Sequence, residues 1–338
     1  MASIAQGAER NNLKKMDRAL NELKLYAVCS FYLGSNFIPF FLPAVAYFAY
    51  KGSNICRAFW ALTVLDYIVP LRMPGIWKSW CKATNDVAGK ESYFSAKLIA
   101  EESFEKDKNY LVCYHPHSLF GIGYNVFTSY LYDKFGILTL FAGADVVLYL
   151  PLLRRALSWW GITPVNASAM KRNLQPPYPH NVLTLLPGGV AEMFYGIGDD
   201  EQIILSKRKG FCKLALQTGA SLVPCYVFGA NQTYTRYFGP GSFAAKLSSK
   251  AKVSLVFWTD RFGVPFGLIP RSTKLIVALG KPIHVEKVEE PSEDQIVGLH
   301  QKYVRALKEL FDRHKGKMGP SWECKTLFLE DEKRIKNS

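Results

Sequence analysis

An α/β layered domain preceded by an N-terminal membrane-embedded helical hairpin is the fold class this sequence predicts, on three observations. Beyond residue 108, short apolar runs alternate with helical stretches, the pattern of strands and helices stacked in one layered domain. Residues 25–50 hold no charge, and a bilayer span needs roughly 20 such residues. The apolar run 110–114 ends in His115-Pro116-His117-Ser118, which sets two imidazoles at a sheet edge where substrate can reach them.

In residues 1–24, Leu13, Met16, Leu20 and Leu23 fall three or four apart, with Lys14, Lys15, Arg18 and Lys24 between them. This predicts an amphipathic basic helix able to lie on an anionic membrane surface. It is no signal peptide, because no apolar core follows a short basic start. Residues 25–71 form the expected hairpin: after the break Lys51-Gly52-Ser53-Asn54, a second apolar stretch over 55–71 is interrupted by Arg57 and Asp66. Two readings compete, a pair of bilayer crossings and a re-entrant wedge kinked at Pro39 and Pro43. Basic residues outside both ends, including Lys24 before and Arg72, Lys78 and Lys82 after, put those ends in the cytosol. Asp66 would be costly if it faced lipid.

Residues 72–338 read as one catalytic domain, without internal repeat or low-complexity linker. Strands are expected at 109–114, 137–141, 181–186, 222–228, 253–258 and 274–279. Helices are expected near 151–160, 167–174, 209–219 and 241–249, and over 292–315. The last repeats Ile296, Leu299, Tyr303, Leu307 and Leu310 at helical spacing, opened by Ser292 as N-cap with Glu293 and Asp294 in its first turn.

The formal charge of +14, from 42 Lys and Arg against 28 Asp and Glu, calls for an anionic partner: nucleic acid, anionic lipid or a phosphorylated substrate. The seven scattered cysteines lack metal-ligand spacing and read as reduced thiols. Imidazole exchanges protons near neutral pH, so His115 and His117 are candidates for general base. Pro187-Gly188-Gly189-Val190-Ala191-Glu192 follows a strand; Gly188 and Gly189 can aim amide N–H groups at an oxyanion, and Glu192 can orient an imidazole. In Ser206-Lys207-Arg208-Lys209-Gly210-Phe211-Cys212-Lys213, basic residues gather at a helix start, a phosphate site in which Arg208, Lys209 and Lys213 are the candidates. Seen singly, each cluster also fits an ordinary turn.

Together these motifs resemble the diacylglycerol acyltransferase type 2 family, which includes monoacylglycerol and wax-alcohol acyltransferases. The resemblance runs over nearly the whole chain, from Leu65-Asp66-Tyr67 and Tyr114-His115-Pro116-His117 through Gly161-Ile162-Thr163-Pro164-Val165 and Pro187-Gly188-Gly189. It continues with Arg208-Lys209-Gly210-Phe211, Leu222-Val223-Pro224-Cys225-Tyr226-Val227-Phe228-Gly229 and Gly280-Lys281-Pro282-Ile283. It implies a glycerolipid-acyltransferase-like layered domain with a mixed sheet. The implied reaction moves an acyl chain from acyl-CoA, the co-substrate, to the hydroxyl of a neutral lipid, diacylglycerol first, with monoacylglycerol, sterol or long-chain alcohol as alternatives. No metal and no redox cofactor are implied. The implied location is the endoplasmic reticulum membrane, with the catalytic domain in the cytosol, or lipid droplets; a homo-oligomer is compatible with it.

The chain departs from the family at Ser118, where Gly is frequent, and at Ala230, before Asn231, where Glu is usual. The first histidine is replaceable by Glu in the family, so His117 is the expected base. Related glycerolipid acyltransferases carry an Asp five residues after the catalytic His; that position here is Ile122, and Glu192 is expected to orient His117 instead. Asn231 joins Gly188 and Gly189 as an expected oxyanion or substrate contact. A serine hydrolase is disfavoured because no Gly-x-Ser-x-Gly occurs, and no nucleic-acid motif accompanies the charge. A non-catalytic membrane lipid-binding protein is the competing class.

Overall fold

The computed structural model describes residues 2–35, 37–85, 93–94, 96–105, 107–175, 182–197, 201–251 and 254–332, with the side chains of 2–15, 18, 35 and 39 outside that description. Helix α1 spans Ala2–Ser35, followed by α2 (Ile38–Tyr50), α3 (Asn54–Ile68) and α4 (Lys78–Asn85). Then come β1 (Lys97–Ala100), β2 (Tyr110–His115), α5 (Ile122–Phe135), β3 (Leu140–Gly143), α6 (Leu153–Trp159), β4 (Ile162–Pro164), α7 (Ala167–Asn173) and β5 (Val182–Leu185). The remainder is β6 (Glu201–Ile203), α8 (Gly210–Thr218), β7 (Ser221–Phe228), β8 (Thr235–Arg236), α9 (Phe243–Ala251), β9 (Trp258–Thr259), β10 (Ile276–Leu279), α10 (Glu293–His314) and β11 (Leu327–Leu329).

Seven strands make one sheet in the order β1-β10-β7-β2-β5-β3-β4. All pairings are parallel except β10 with β7, so the sheet is mixed, as expected. β2 and β7 lie at its centre and are buried along their whole length. That is why both read as continuous apolar runs and not as alternating ones. One face packs on α1, α5 and α6 through Tyr114, Phe127, Leu157 and Val227. The other packs on α8 and α10 through Phe211, Tyr226, Tyr303 and Phe311. α10 starts where expected: Ser292 Oγ accepts from the Gln295 amide at 3.2 Å, and Gln295 Oε1 accepts from the Ser292 amide at 2.9 Å, a reciprocal cap.

Several expectations are revised. The predicted strand 253–258 is reduced to β9, paired antiparallel with β8, while residue 253 lies outside the description. α5 was not foreseen. It is buried on almost every side over Ile122–Thr128, so it lacks an apolar stripe, and its aromatic and β-branched residues are weak helix formers. The uncharged run 25–50 is no single span. α1 continues through position 25 and docks Leu25, Cys29 and Tyr32 into the domain core, with Tyr32 stacked 4.9 Å from Trp160. A break after Ser35 separates it from α2.

α2 and α3 do form a hairpin, capped where Ser53 Oγ accepts from the Cys56 amide. At 1.5 Å per residue each limb is about 20 Å long, short of the roughly 30 Å hydrocarbon core. Among the described residues no helix is long and apolar enough to cross a membrane. Asp66 points away from the exposed face: its carboxylate takes Arg155 Nε at 2.7 Å and the Leu152 amide at 3.1 Å, with Arg154 at 3.5 Å. This buried ion pair fastens α3 to the start of α6.

Candidate active site

Parallel sheets bind ligands at the carboxyl ends of their strands, where the turns into the next helices converge. Here three such ends lie side by side: β2 delivers His115, β5 leads into Pro187-Gly188-Gly189, and β7 leads into Gly229-Ala230-Asn231. The register sets His115 beside Tyr226 and Cys113 beside Leu185.

The hub is Glu192, in a 3₁₀ turn over Val190–Phe194 and fully buried. Its Oε1 accepts from His115 Nδ1 at 2.9 Å and from the Ile204 amide at 3.3 Å; its Oε2 accepts from the His117 amide at 3.1 Å. The expectation that Glu192 orients the His117 ring is therefore corrected: the carboxylate holds the His115 ring, and His117 only by its main chain. The reason is where the strand stops: β2 ends at His115, whose side chain is buried with the rest of that strand, and His117 lies two residues on, in the loop past Pro116. His115 is 0% exposed, and its Nε2 has no hydrogen-bond partner among the described residues.

His117 is only partly buried. Its Nδ1 lies 3.0 Å from the Ser118 carbonyl, which can only accept, so Nδ1 carries the proton and the neutral ring keeps its lone pair at Nε2. Burial pushes the imidazole pKa below its usual 6.5, against the upward pull of the Ser118 carbonyl and Glu192. Ser118 stands at φ +48°, a left-handed conformation that costs a non-glycine residue about 1–2 kcal/mol. That accounts for glycine at this place in the family; here the Ser118 hydroxyl is tied to the Phe120 carbonyl at 3.1 Å.

Gly188 and Gly189 differ. A Cβ at Gly188 would fall on the Glu192 carboxylate, so only glycine lets the turn close over it. The Gly189 amide donates to the Leu186 carbonyl at 3.1 Å, which engages one of the two donors expected for an oxyanion. Asn231 is engaged in a polar network with Arg236 and Glu201. Its Oδ1 accepts from Arg236 Nη2 at 2.8 Å and its Nδ2 donates to Glu201 Oε2 at 3.3 Å. Arg236 also donates to the Met193 carbonyl at 2.6 Å and the Gly196 carbonyl at 2.9 Å, clamping the turn that carries Glu192. Desolvation holds its pKa down at about 10, although Glu201 and Glu192 pull it upward. Burial raises Glu201, which accepts from Tyr226 at 2.6 Å. Sequence reasoning missed Arg236 and Glu201; a lone Arg within Tyr234-Thr235-Arg236-Tyr237-Phe238 was the available signal.

The basic cluster opens α8, whose N-cap is Lys209. Arg208 and Lys213 are exposed, while Lys209 Nζ meets Glu293 at 3.1 Å on the surface. The cluster joins the hub through Ile204, whose amide reaches Glu192. Immediately after Ile204, the Leu205 and Ser206 amides both donate to Glu330 Oε2, at 2.8 and 3.1 Å.

The end of β2 thus presents a partly buried imidazole and, two residues before it, a buried imidazole held by a carboxylate, on an α/β scaffold. The chain belongs to the diacylglycerol acyltransferase family, whose model matches residues 58–328. It is 32% identical over 296 residues to diacylglycerol O-acyltransferase 2 of Danio rerio, covering 81% of each chain. It is 34% identical over 237 residues to diacylglycerol O-acyltransferase 2 of Dictyostelium discoideum, covering 66% of this chain and 71% of that one. Acyl-CoA wax alcohol acyltransferase 2 of Mus musculus is 30% identical over 243 residues, covering 68% and 72%. Among solved structures, the 1-acyl-sn-glycerophosphate acyltransferase of Thermotoga maritima covers 88% of this chain at 12% identity and a TM-score of 0.41.

Proposed function

We propose that this member of the family transfers an acyl chain from acyl-CoA to the free hydroxyl of diacylglycerol, giving triacylglycerol, with His117 as general base. The observation that carries the reading is the His117 ring, neutral at pH 7, with a protonated Nδ1 and an open lone pair at Nε2. The alcohol oxygen attacks the thioester carbonyl carbon while Nε2 takes the hydroxyl proton. The C–S bond then breaks and that proton passes to the departing thiolate, regenerating the base. A thiolate leaves readily because its pKa of about 8–9 is far below that of an alkoxide. The Gly188 amide is the proposed donor to the oxyanion, and Arg208, Lys213 and Lys209 face the coenzyme phosphates. The exposed hairpin holds the domain on the cytosolic side of the endoplasmic reticulum membrane or on lipid droplets, where a bilayer-dissolved acceptor is found.

A second reading makes His115 the base, favoured by its Glu192 partner and its unpartnered Nε2. Membranes carrying each variant at matched protein levels, given labelled acyl-CoA and a panel of diacylglycerol, monoacylglycerol, sterol and long-chain alcohol, separate these readings. His117→Ala should lower turnover by about 10²–10⁴, with diacylglycerol the best acceptor of the unaltered chain. Near-normal turnover with His117→Ala and loss with His115→Ala would move the base to His115. Strongest transfer to another acceptor would revise the substrate.

A further inference from the structure

The hairpin is not the chain's one apolar surface. A second is made by α9 and the segment 255–266, where Phe243, Leu247, Phe262, Val264 and Phe266 stand exposed, Phe243 at 80%. α9 turns Ala244 and Ala245 inward against Met193 and Phe194 of the turn bearing Glu192, and leaves Phe243 and Leu247, one helical turn apart, facing out. Burying two large apolar side chains would stabilise any complex that covered them; leaving both in water forgoes that gain.

Two features say what covers this face. It is continuous with the hairpin: Phe37, at the root of α2, lies 5.9 Å from Phe266, which lies 5.0 Å from Phe257, and Phe257 in turn lies 5.9 Å from Phe238. Its exposed charge is of one sign, since Asp260, the acidic residue of the 255–266 segment, is buried. Between Glu201 and Asp260 the chain holds no acidic residue, while Lys246 and Lys250 are exposed on α9 beside Leu247. Apolar residues rimmed by lysines suit a helix lying at the headgroup level of an anionic lipid surface.

We infer that α9 and the 255–266 segment form a second membrane-contacting face, which seats the catalytic domain itself on the lipid surface beside the hairpin. The inference extends the hairpin reading above. It places the Glu192 turn directly behind the membrane-facing helix, on the path of an acceptor that enters from the lipid.

The test uses the full chain with Cys56→Ser and Cys324→Ser and a single polarity-sensitive fluorophore on Phe243→Cys, Phe41→Cys or Gln301→Cys. Vesicles of phosphatidylcholine with phosphatidylserine are added. Labels at 243 and 41 should shift to the blue and be shielded from aqueous iodide, while the label at 301 on α10 stays wet. Shielding at 41 with 243 remaining wet overturns the second face and leaves the hairpin reading intact. Wet labels at both positions overturn both readings. Shielding at 243 without vesicles, growing with protein concentration, overturns the lipid in favour of a second copy of the chain. In a second measurement, Phe243→Asp with Leu247→Asp should raise the apparent KM for vesicle-borne acceptor severalfold at unchanged KM for acyl-CoA. Equal KM values for both substrates in variant and parent overturn the inference.

Discussion

At His117, burial and hydrogen bonding oppose each other, and burial prevails: the folded pKa lies below the ordinary 6.5. Two consequences follow with one sign. Activity should fall on the acid side with an apparent pKa below 6.5, as Nε2 loses its lone pair. Folding stability from this group is fully present above 6.5 and is lost as pH falls through the folded value, because there the unfolded chain binds more protons. A pH–rate profile of kcat/KM for acyl-CoA checks the first, and urea melts at several pH values check the second. Glu192→Gln keeps the shape but offers an amide where an oxygen accepted, so one of three donors is opposed. The loss of a hydrogen bond to a charged group, about 1.5–3 kcal/mol, lowers kcat about ten- to a hundredfold if felt in the transition state. His115→Glu sets a second carboxyl against Glu192; the pair must share a proton. The acid limb set by His117 should remain and a second limb should appear, with activity lost as pH rises and the shared proton leaves; an unchanged pH profile would contradict the placement of Glu192 beside His115.

On the scale of elements, α3 depends on one buried carboxylate. Asp66 is 5% exposed and satisfied by Arg155, Arg154 and the Leu152 amide, while the Arg154 guanidinium lies 4.7 Å from the Tyr67 ring centre. Tyr67 also donates to the Tyr149 carbonyl, so two adjacent residues of α3, Asp66 and Tyr67, fix the hairpin to the catalytic domain. Asp66→Ala leaves Arg155 without its carboxylate partner and should cost about 2–3 kcal/mol, seen as a lower melting temperature of the detergent-solubilised chain. Adding Arg155→Ala should recover part of that loss, and a strictly additive double mutant would show that the pair is uncoupled.

For the whole molecule, the proposed membrane attachment is argued from the distribution of apolar surface. Phe40 is 76% exposed, and Phe41, Phe48, Ile55 and Ile68 stand open on α2 and α3, while Met16, Leu20 and Leu23 line the outer side of α1. On the proposed membrane reading, such a surface inserts and does not merely adhere by charge. The protein should therefore stay with membranes through high salt and alkaline carbonate, as read by sedimentation and immunoblot. Release by salt alone would assign the anchoring to the basic residues.

Local chemistry was enough for the sequence to determine the central strands, the Ser292-capped helix and the family. Buried parallel strands must be continuously apolar, and caps and glycine turns are written in neighbouring residues. The candidate motifs were equally legible, because His115, His117, Gly188 and Glu192 each belong to a short strand-to-turn segment. What spacing could not tell is which imidazole takes the carboxylate. Glu192 lies far along the chain from both histidines, and only the parallel pairing of β2 with β5 and the inward turn of His115 decide it. The same holds for Asn231, drawn into the Arg236–Glu201 network, and for the run 25–50, divided because Leu25, Cys29 and Tyr32 find a core to fill. Hydropathy measures how much a segment avoids water, whereas the partner that covers it, protein or lipid, is a property of the folded chain.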